Sequence, residues 1–269
     1  MVLSVTGETV VTHSMPATFI GHGSPMNTLE HNRYTQAWNS FGISVGTPRA
    51  ILAISAHWYV GETAVTAMKT PRVIHDFSGF PQELFDFDYP APGAPDVAME
   101  IAEIAKPTHV ELDESSWGID HGTWSVLAHM FPKADVPVVQ LSINANESID
   151  FHVNLGASLA PLMHSGVLIV GSGNVVHNLG RIDWSAHGRG HDWAERFDEA
   201  ARTQMNDDPG AIARLMQHKD YASSVPTAEH FLPLAYIAGI ASAMKATPEV
   251  LVGGCELGSL SMTSFTVAN

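Results

Sequence analysis

The sequence predicts an α/β fold: a single domain whose central sheet, mostly parallel or mixed, is covered by helices on both faces. Three observations predict it. Short aliphatic runs bounded by Gly, Pro or Ser read as buried strands. Longer stretches with apolar residues at helical spacing lie between them, and this alternation is the pattern of strands joined by crossover helices. No repeat, low-complexity tract or long linker divides the 269 residues, so one compact domain is expected over 15–269, preceded by an extension of residues 1–14.

In chain order, Ala17–Gly21 is the first strong strand, and Thr28–Trp38 carries a helical period. Ala50–Ser55 is the second strong strand, and Ala64–Met68 is a weaker one. Pro95–Ala105 reads as a helix begun by proline, His109–Leu112 as a weak strand, and Trp124–Met130 as a helix. Pro137–Ile143 and Val167–Gly171 are strong strands flanking a helix over Asp150–His164. Helices follow at His191–Met205, Pro209–His218 and Glu229–Met244. Val250–Gly253 and Ser259–Val267 close the chain as weak strands, the last alternating cleanly enough to form an antiparallel edge.

Composition excludes several classes. Hydrophobic residues make up 45% and charged residues 15%, enough to bury a core. With Lys+Arg at 13 against Asp+Glu at 28, a net charge of −15 repels phosphate backbones and anionic lipids, so neither nucleic acid nor membrane is an expected partner. The single cysteine, Cys255, leaves no intrachain disulfide framework and no cysteine zinc site, and suits a reducing compartment. Residues 1–14 lack the basic start of a secretory signal. The longest apolar segment, Phe231–Met244, is shorter than a spanning helix and contains Pro233, so it reads as a buried helix. The cytoplasm is the expected location.

Histidine is the compositional oddity, its 15 copies outnumbering Lys and Arg together. His13, His31, His109, His129, His152, His164, His187, His191 and His218 lie in polar or ordinary amphipathic contexts and read as structural or solvated. The others stand in distinctive settings. Three strong strands run into a loop containing histidine: Gly21-His22-Gly23, Ser55-Ala-His57-Trp, and Gly173-Asn-Val-Val-His177. Ligand crevices of open α/β sheets lie beyond the carboxyl ends of strands, so these loops can converge. Gly21 and Gly23 give His22 a permissive backbone.

His230 and Glu229 are adjacent in a segment where Thr227 can cap a helix whose first turn holds both. Successive helical residues diverge by roughly 100°, so only one of the pair faces the site, and the spacing does not choose between them. His121 lies in Trp117-Gly-Ile-Asp-His-Gly-Thr-Trp124, where Asp120 can cap the next helix. His75-Asp76-Phe77 is a weaker candidate for the wall of a pocket.

The segments Gly21-His-Gly-Ser-Pro-Met-Asn27, Ser55-Ala-His-Trp58, Trp117–Trp124, Gly173-Asn-Val-Val-His-Asn-Leu179 and Glu229-His-Phe-Leu-Pro-Leu234 resemble the class III extradiol dioxygenases, within them the DOPA 4,5-dioxygenase-like proteins. The resemblance runs from about Met15 to the C-terminus, five motifs in order. It implies a single α/β catalytic domain over 15–269 and one divalent metal ion held by His22, His57 and His230. His177 is implied as acid/base or fourth ligand, and His121 as a residue orienting substrate and oxygen.

The resemblance further implies a non-haem Fe(II) enzyme that opens a catechol, DOPA-like or related, with O₂ to a semialdehyde acid. Zn²⁺ is a possible occupant of the purified protein, because neutral imidazoles suit it. The chain departs from the pattern after Leu179, where Gly180 precedes Arg181 and similar bacterial sequences often place a basic residue directly. Two competing readings are a zinc hydrolase with Glu229 as general base and a non-catalytic metal-binding protein on the same fold.

Overall fold

The computed structural model describes residues 14–268. The expected extension over 1–14, apart from Ser14, lies outside the described residues, as does His13. From the N-terminal side, β1 (Ala17–Gly21) leads through a 3₁₀ turn at Pro25–Thr28 to α1 (Arg33–Val45). Then come β2 (Ala50–Val60), β3 (Ala64–Thr66), β4 (Arg72–Val73), α2 (Gln82–Phe85), α3 (Pro95–Ile104), β5 (Glu111–Asp113), β6 (Gly118–Ile119) and α4 (His121–Met130). The second half comprises β7 (Val138–Asn144), α5 (Ile149–Leu159), α6 (Pro161–His164), β8 (Val167–Gly173), α7 (Asp192–Asp207), α8 (Tyr221–Ser224), α9 (Leu232–Met244), β9 (Glu249–Val252), β10 (Cys255–Glu256), β11 (Leu260–Ser261) and β12 (Ser264–Val267).

Eight strands form one mixed sheet in the order β5-β3-β7-β2-β8-β1-β12-β9. The central four, β7, β2, β8 and β1, are mutually parallel, while β3 and β12 run antiparallel to their inner neighbours. The central strands are aliphatic on both sides, as a sheet covered twice requires. In β2, Leu52 and Ile54 join the core shared with α3, α5, α7 and α9, whereas Ile51 and Ala53 join the core shared with α1 and α4. This places the carboxyl ends of β1, β2 and β8 side by side.

Several elements differ from the sequence expectation, each for a local reason. The helix expected over Thr28–Trp38 is a 3₁₀ turn followed by α1, because Asn32 caps the chain anew with a reciprocal hydrogen bond to Thr35. The helix over Asp150–His164 breaks before Pro161, which lacks the N–H to continue it. Pro209–Gln217 is 3₁₀. Ser259–Val267 divides into β11 and β12, and β9 is the edge, so β12 is paired on both sides.

The helix expected from Glu229 starts at Leu232, with no side-chain cap from Thr227. An α-helical bond to the Glu229 carbonyl would have to come from the nitrogen of Pro233, which carries no hydrogen. Glu229 and His230 therefore occupy the turn before α9.

Candidate metal centre

His22 follows the last residue of β1, and its amide donates to the Gly173 carbonyl at the end of β8, 2.9 Å away. His57 lies inside β2 rather than in a loop after it. There the pairing with β7 shifts register between Ile54 and Tyr59, which re-aims side chains at the strand's upper end. The His230 carbonyl accepts from Asn174 N at 2.8 Å. A Cβ at Gly173 would collide with that same carbonyl, so the glycine is what lets the His230 turn close on β8.

The three rings form an almost equilateral triangle, with centroid separations of 5.3 Å for His22–His57, 5.3 Å for His22–His230 and 5.2 Å for His57–His230. One ring nitrogen from each lies within 4.8 Å of the other two. Hydrogen bonds indicate which nitrogen. Ser172 Oγ donates to the Gly122 carbonyl (2.5 Å), so it accepts from His22 Nδ1 (2.9 Å). His57 Nδ1 meets Asp76 Oδ2 at 2.9 Å, and His230 Nδ1 meets Glu229 Oε1 at 3.3 Å. With Nδ1–H spent on an acceptor, each neutral imidazole presents a bare Nε2 lone pair, the tautomer a metal ligand needs.

These residues fit a cation. His57 Nε2 is buried with no hydrogen-bond partner, a deficit worth about 1–3 kcal/mol that a bound ion would remove. Burial first, then the neighbouring histidines, hold His22 and His230 well below the ordinary imidazole value, so both are neutral.

Asp76 organises the other side of the site. Its Oδ1 accepts from His121 Nδ1 (2.8 Å) and from the His121 amide (3.1 Å), while Oδ2 takes His57. Burial would raise its carboxyl, but the hydrogen bonds from His121 and His57 outweigh it and hold Asp76 well below the carboxylate range. Burial likewise pulls His57 down, and is outweighed by the Asp76 bond and by the Asp120 and Asp76 charges, leaving it raised. His121 stays lowered by burial despite the same partner.

His121 is the first residue of α4, and Asp120 caps that helix by accepting from Thr123 N at 3.1 Å, as its sequence position suggests. Asp120 also accepts from Ser55 Oγ (2.7 Å), from Trp117 Nε1 (3.3 Å) and from Gln140. Capping and site-building are here one arrangement.

His177 stacks on His230, with ring centroids 3.5 Å apart and planes 5° from parallel. Burial first, with the Glu229 charge opposing, lowers it to about 4. All five histidines open onto one cavity of about 920 Å³, walled also by Phe77, Phe80, Leu179, Trp184 and Met262. Asp76 and Phe77 line it, as expected of that segment, whereas His75 turns away to bond the Phe87 carbonyl at 2.8 Å. His187, read from sequence as structural or solvated, lines the cavity too. The next residue, Gly188, donates to Glu256 across 68 residues, a long-range pairing that local context does not signal.

A mixed α/β sheet that gathers imidazoles at the carboxyl ends of its parallel strands, beside an open cavity, defines a protein with groups that could hold a metal ion against a small molecule. The chain belongs to the family described as the catalytic LigB subunit of aromatic ring-opening dioxygenase, whose sequence model matches residues 11–257. It is an extradiol ring-cleaving dioxygenase of that family. It is 44% identical to the 4,5-DOPA dioxygenase extradiol of Escherichia coli (strain K12), over 94% of either chain. The corresponding Beta vulgaris enzyme is 33% identical, over 92% of this chain and 94% of its own. A crystal structure of an uncharacterized Escherichia coli K12 protein superposes with a TM-score of 0.82 at 40% identity, over 94% of this chain and 100% of that one.

Among the described residues no helix is long and apolar enough to cross a membrane.

Proposed function

We propose that this protein is a non-haem Fe(II) dioxygenase that opens the ring of a catechol, DOPA-like or related, to a semialdehyde acid, with residues 15–269 as catalytic domain. The observation that carries the reading is the near-equilateral triangle of imidazoles from His22, His57 and His230. His22, His57 and His230 would hold the ion, and three protein ligands would leave it able to take further ones. When bound, Fe(II) would supply redox chemistry and adjacent positions for catechol and O₂. Cytoplasmic location is supported by the single cysteine.

Residues of the chain supply the proton chemistry. His177, kept neutral by its burial, accepts a proton from the catechol hydroxyl and later returns it. His121, fixed by Asp76, orients the reactants from the opposite wall.

The zinc-hydrolase reading needs Glu229 as a base. Its carboxylate instead holds Thr227 Oγ1 at 2.6 Å and the outer nitrogen of His230. Neutral imidazoles also suit Zn²⁺, so zinc in a purified sample would report occupancy and not activity.

The test is anaerobic reconstitution with Fe(II) or Zn²⁺, followed by oxygen uptake with a panel of catechols. Uptake is expected in the iron form alone. Equal uptake in both forms, or none with iron, would overturn the proposal.

A further inference from the structure

Away from the histidines, the cavity wall carries charges that ring opening does not use. Arg33, the first residue of α1, is the one Lys or Arg in that wall among the described residues. Its Nη2 donates to Tyr34 Oη at 2.7 Å, and its guanidinium carbon lies 4.5 Å from the Tyr34 ring centroid. Tyr34 Oη donates in turn to Glu256 Oε1 at 3.1 Å, and Glu256 Oε2 accepts the Gly188 amide at 2.8 Å. Arg33, Tyr34, Glu256 and Gly188 all face the cavity.

Two features bear on where the guanidinium lies. Gly254, at φ 122°, lies against it, and a Cβ there would collide with Arg33 Nη2. The missing side chain leaves a cradle. A chain of amide hydrogen bonds also ties α1 to the metal centre: Asn27 Nδ2 donates to the His22 carbonyl (2.9 Å), and Asn32 Nδ2 donates to Asn27 Oδ1 (2.8 Å). Asn32 Oδ1 then accepts the Tyr34 and Thr35 amides at 3.0 and 3.1 Å. The start of α1, from which the Arg33 side chain extends, is thereby held in a set relation to His22.

The cavity, about 920 Å³, reaches the upper end of the roughly 300–1,000 Å³ span of small-molecule sites, so it has room for a substituent beyond the ring. In a chain of net charge −15, a guanidinium whose hydrogen bond goes to a phenol rather than a carboxylate is a place for an external anion. Each oxygen of Glu256 holds one donor and keeps a second lone pair.

We propose that Arg33, Tyr34 and Glu256 form a subsite for a zwitterionic arm on the catechol, Arg33 taking its carboxylate and Glu256 its ammonium. The subsite deepens the ring-opening proposal and rests on it. It selects a catechol-bearing amino acid over the corresponding amine, acid or alkyl catechol.

The test uses the full-length iron-loaded protein and four catechols. These are 4-methylcatechol, dopamine (ammonium alone), 3-(3,4-dihydroxyphenyl)propanoate (carboxylate alone) and DOPA (both). Each kcat/KM is divided by that of 4-methylcatechol, so the amount of active enzyme cancels. In Arg33→Gln the ratios for DOPA and the propanoate are expected to fall about tenfold, mainly through KM, while the dopamine ratio holds; the modest size reflects a solvent-screened contact. In Glu256→Gln the DOPA and dopamine ratios are expected to fall instead. Anaerobic binding titrations should give dissociation constants in the same order.

Ratios unchanged in Arg33→Gln would overturn the subsite. That variant alters an exposed side chain and decides the matter even if Glu256→Gln folds poorly. Failure of the wild-type iron protein to turn over 4-methylcatechol or any other catechol would overturn the ring-opening proposal instead.

Discussion

Replacing Asp76 with Asn is expected to weaken metal binding by forcing a change of tautomer, with almost no change of shape. The carboxylate accepts from His57 Nδ1 at 2.9 Å, from His121 Nδ1 at 2.8 Å and from the His121 amide at 3.1 Å. An amide of the same outline has one accepting oxygen, and its –NH₂ then faces a ring N–H, donor against donor. If the oxygen stays with His121, where it serves two donors, His57 must move its proton to Nε2. That nitrogen is buried without a partner and belongs to the proposed ligand triangle, and a protonated Nε2 cannot coordinate.

Loss of a carboxylate that orients a metal-bound histidine typically costs 10- to 100-fold in affinity, or about 1.4–2.7 kcal/mol. Anaerobic competition for Fe(II) against a chelator of known affinity measures it, with circular dichroism to confirm folding. A folded Asp76→Asn protein whose iron affinity stays within twofold of wild type would refute the tautomer reasoning.

Three further outcomes are expected. His177→Ala should keep its iron and lose about 10²- to 10⁴-fold in kcat, roughly 3–5 kcal/mol of barrier, whereas His22→Ala should lose the iron itself. Iron content and kcat measured in the same preparations separate the two, and full turnover in His177→Ala would remove it from the proton chemistry. His152, fully buried beside Tyr236 Oη at 3.0 Å, is lowered to about 4 by burial. The unfolded chain binds that proton first, so stability is complete above about pH 6.5 and is lost as pH falls toward 4, by about 2 kcal/mol at pH 5. His152→Leu should flatten this limb in urea titrations at pH 7 and 5, and an unchanged slope would contradict it. Gly239→Ala places a methyl against the Val153 carbonyl where α9 crosses α5, and should cost about 1–3 kcal/mol as the helices part. Unaltered urea stability would show that the helices yield without penalty.

How much of this was legible in the sequence depended on whether the signal was local. β1 has the expected bounds, and β2, β7 and β8 contain or nearly match their expected runs, because a strand buried on both faces must be aliphatic throughout. Five of the histidines that line the cavity stood out because each lies near the end of an expected element or inside a family-like motif. What was not legible lay in partners brought together from afar. Asp76 meets His121 across 45 residues, and Tyr34 meets Glu256 across 222.

Pairing also bears on what spacing left open. Spacing alone left Glu229 and His230 undivided because a helical turn was expected there, although the family-like motif favoured His230, and Pro233 denies that turn by leaving the Glu229 carbonyl without its α-helical donor. Released from the helix, the pair can divide its work. His230 joins the triangle, while Glu229, braced by Thr227, holds the outer nitrogen of the same ring. Under the proposed ligand set, the rival candidate is the group that sets the tautomer of His230. The same logic governs Ser172 behind His22 and Asp76 behind His57, so the three histidines depend on three acceptors of different chemistry, each supplied by a different part of the chain. A sequence pattern can mark the histidines, but only the folded sheet can show that every one of them has its acceptor.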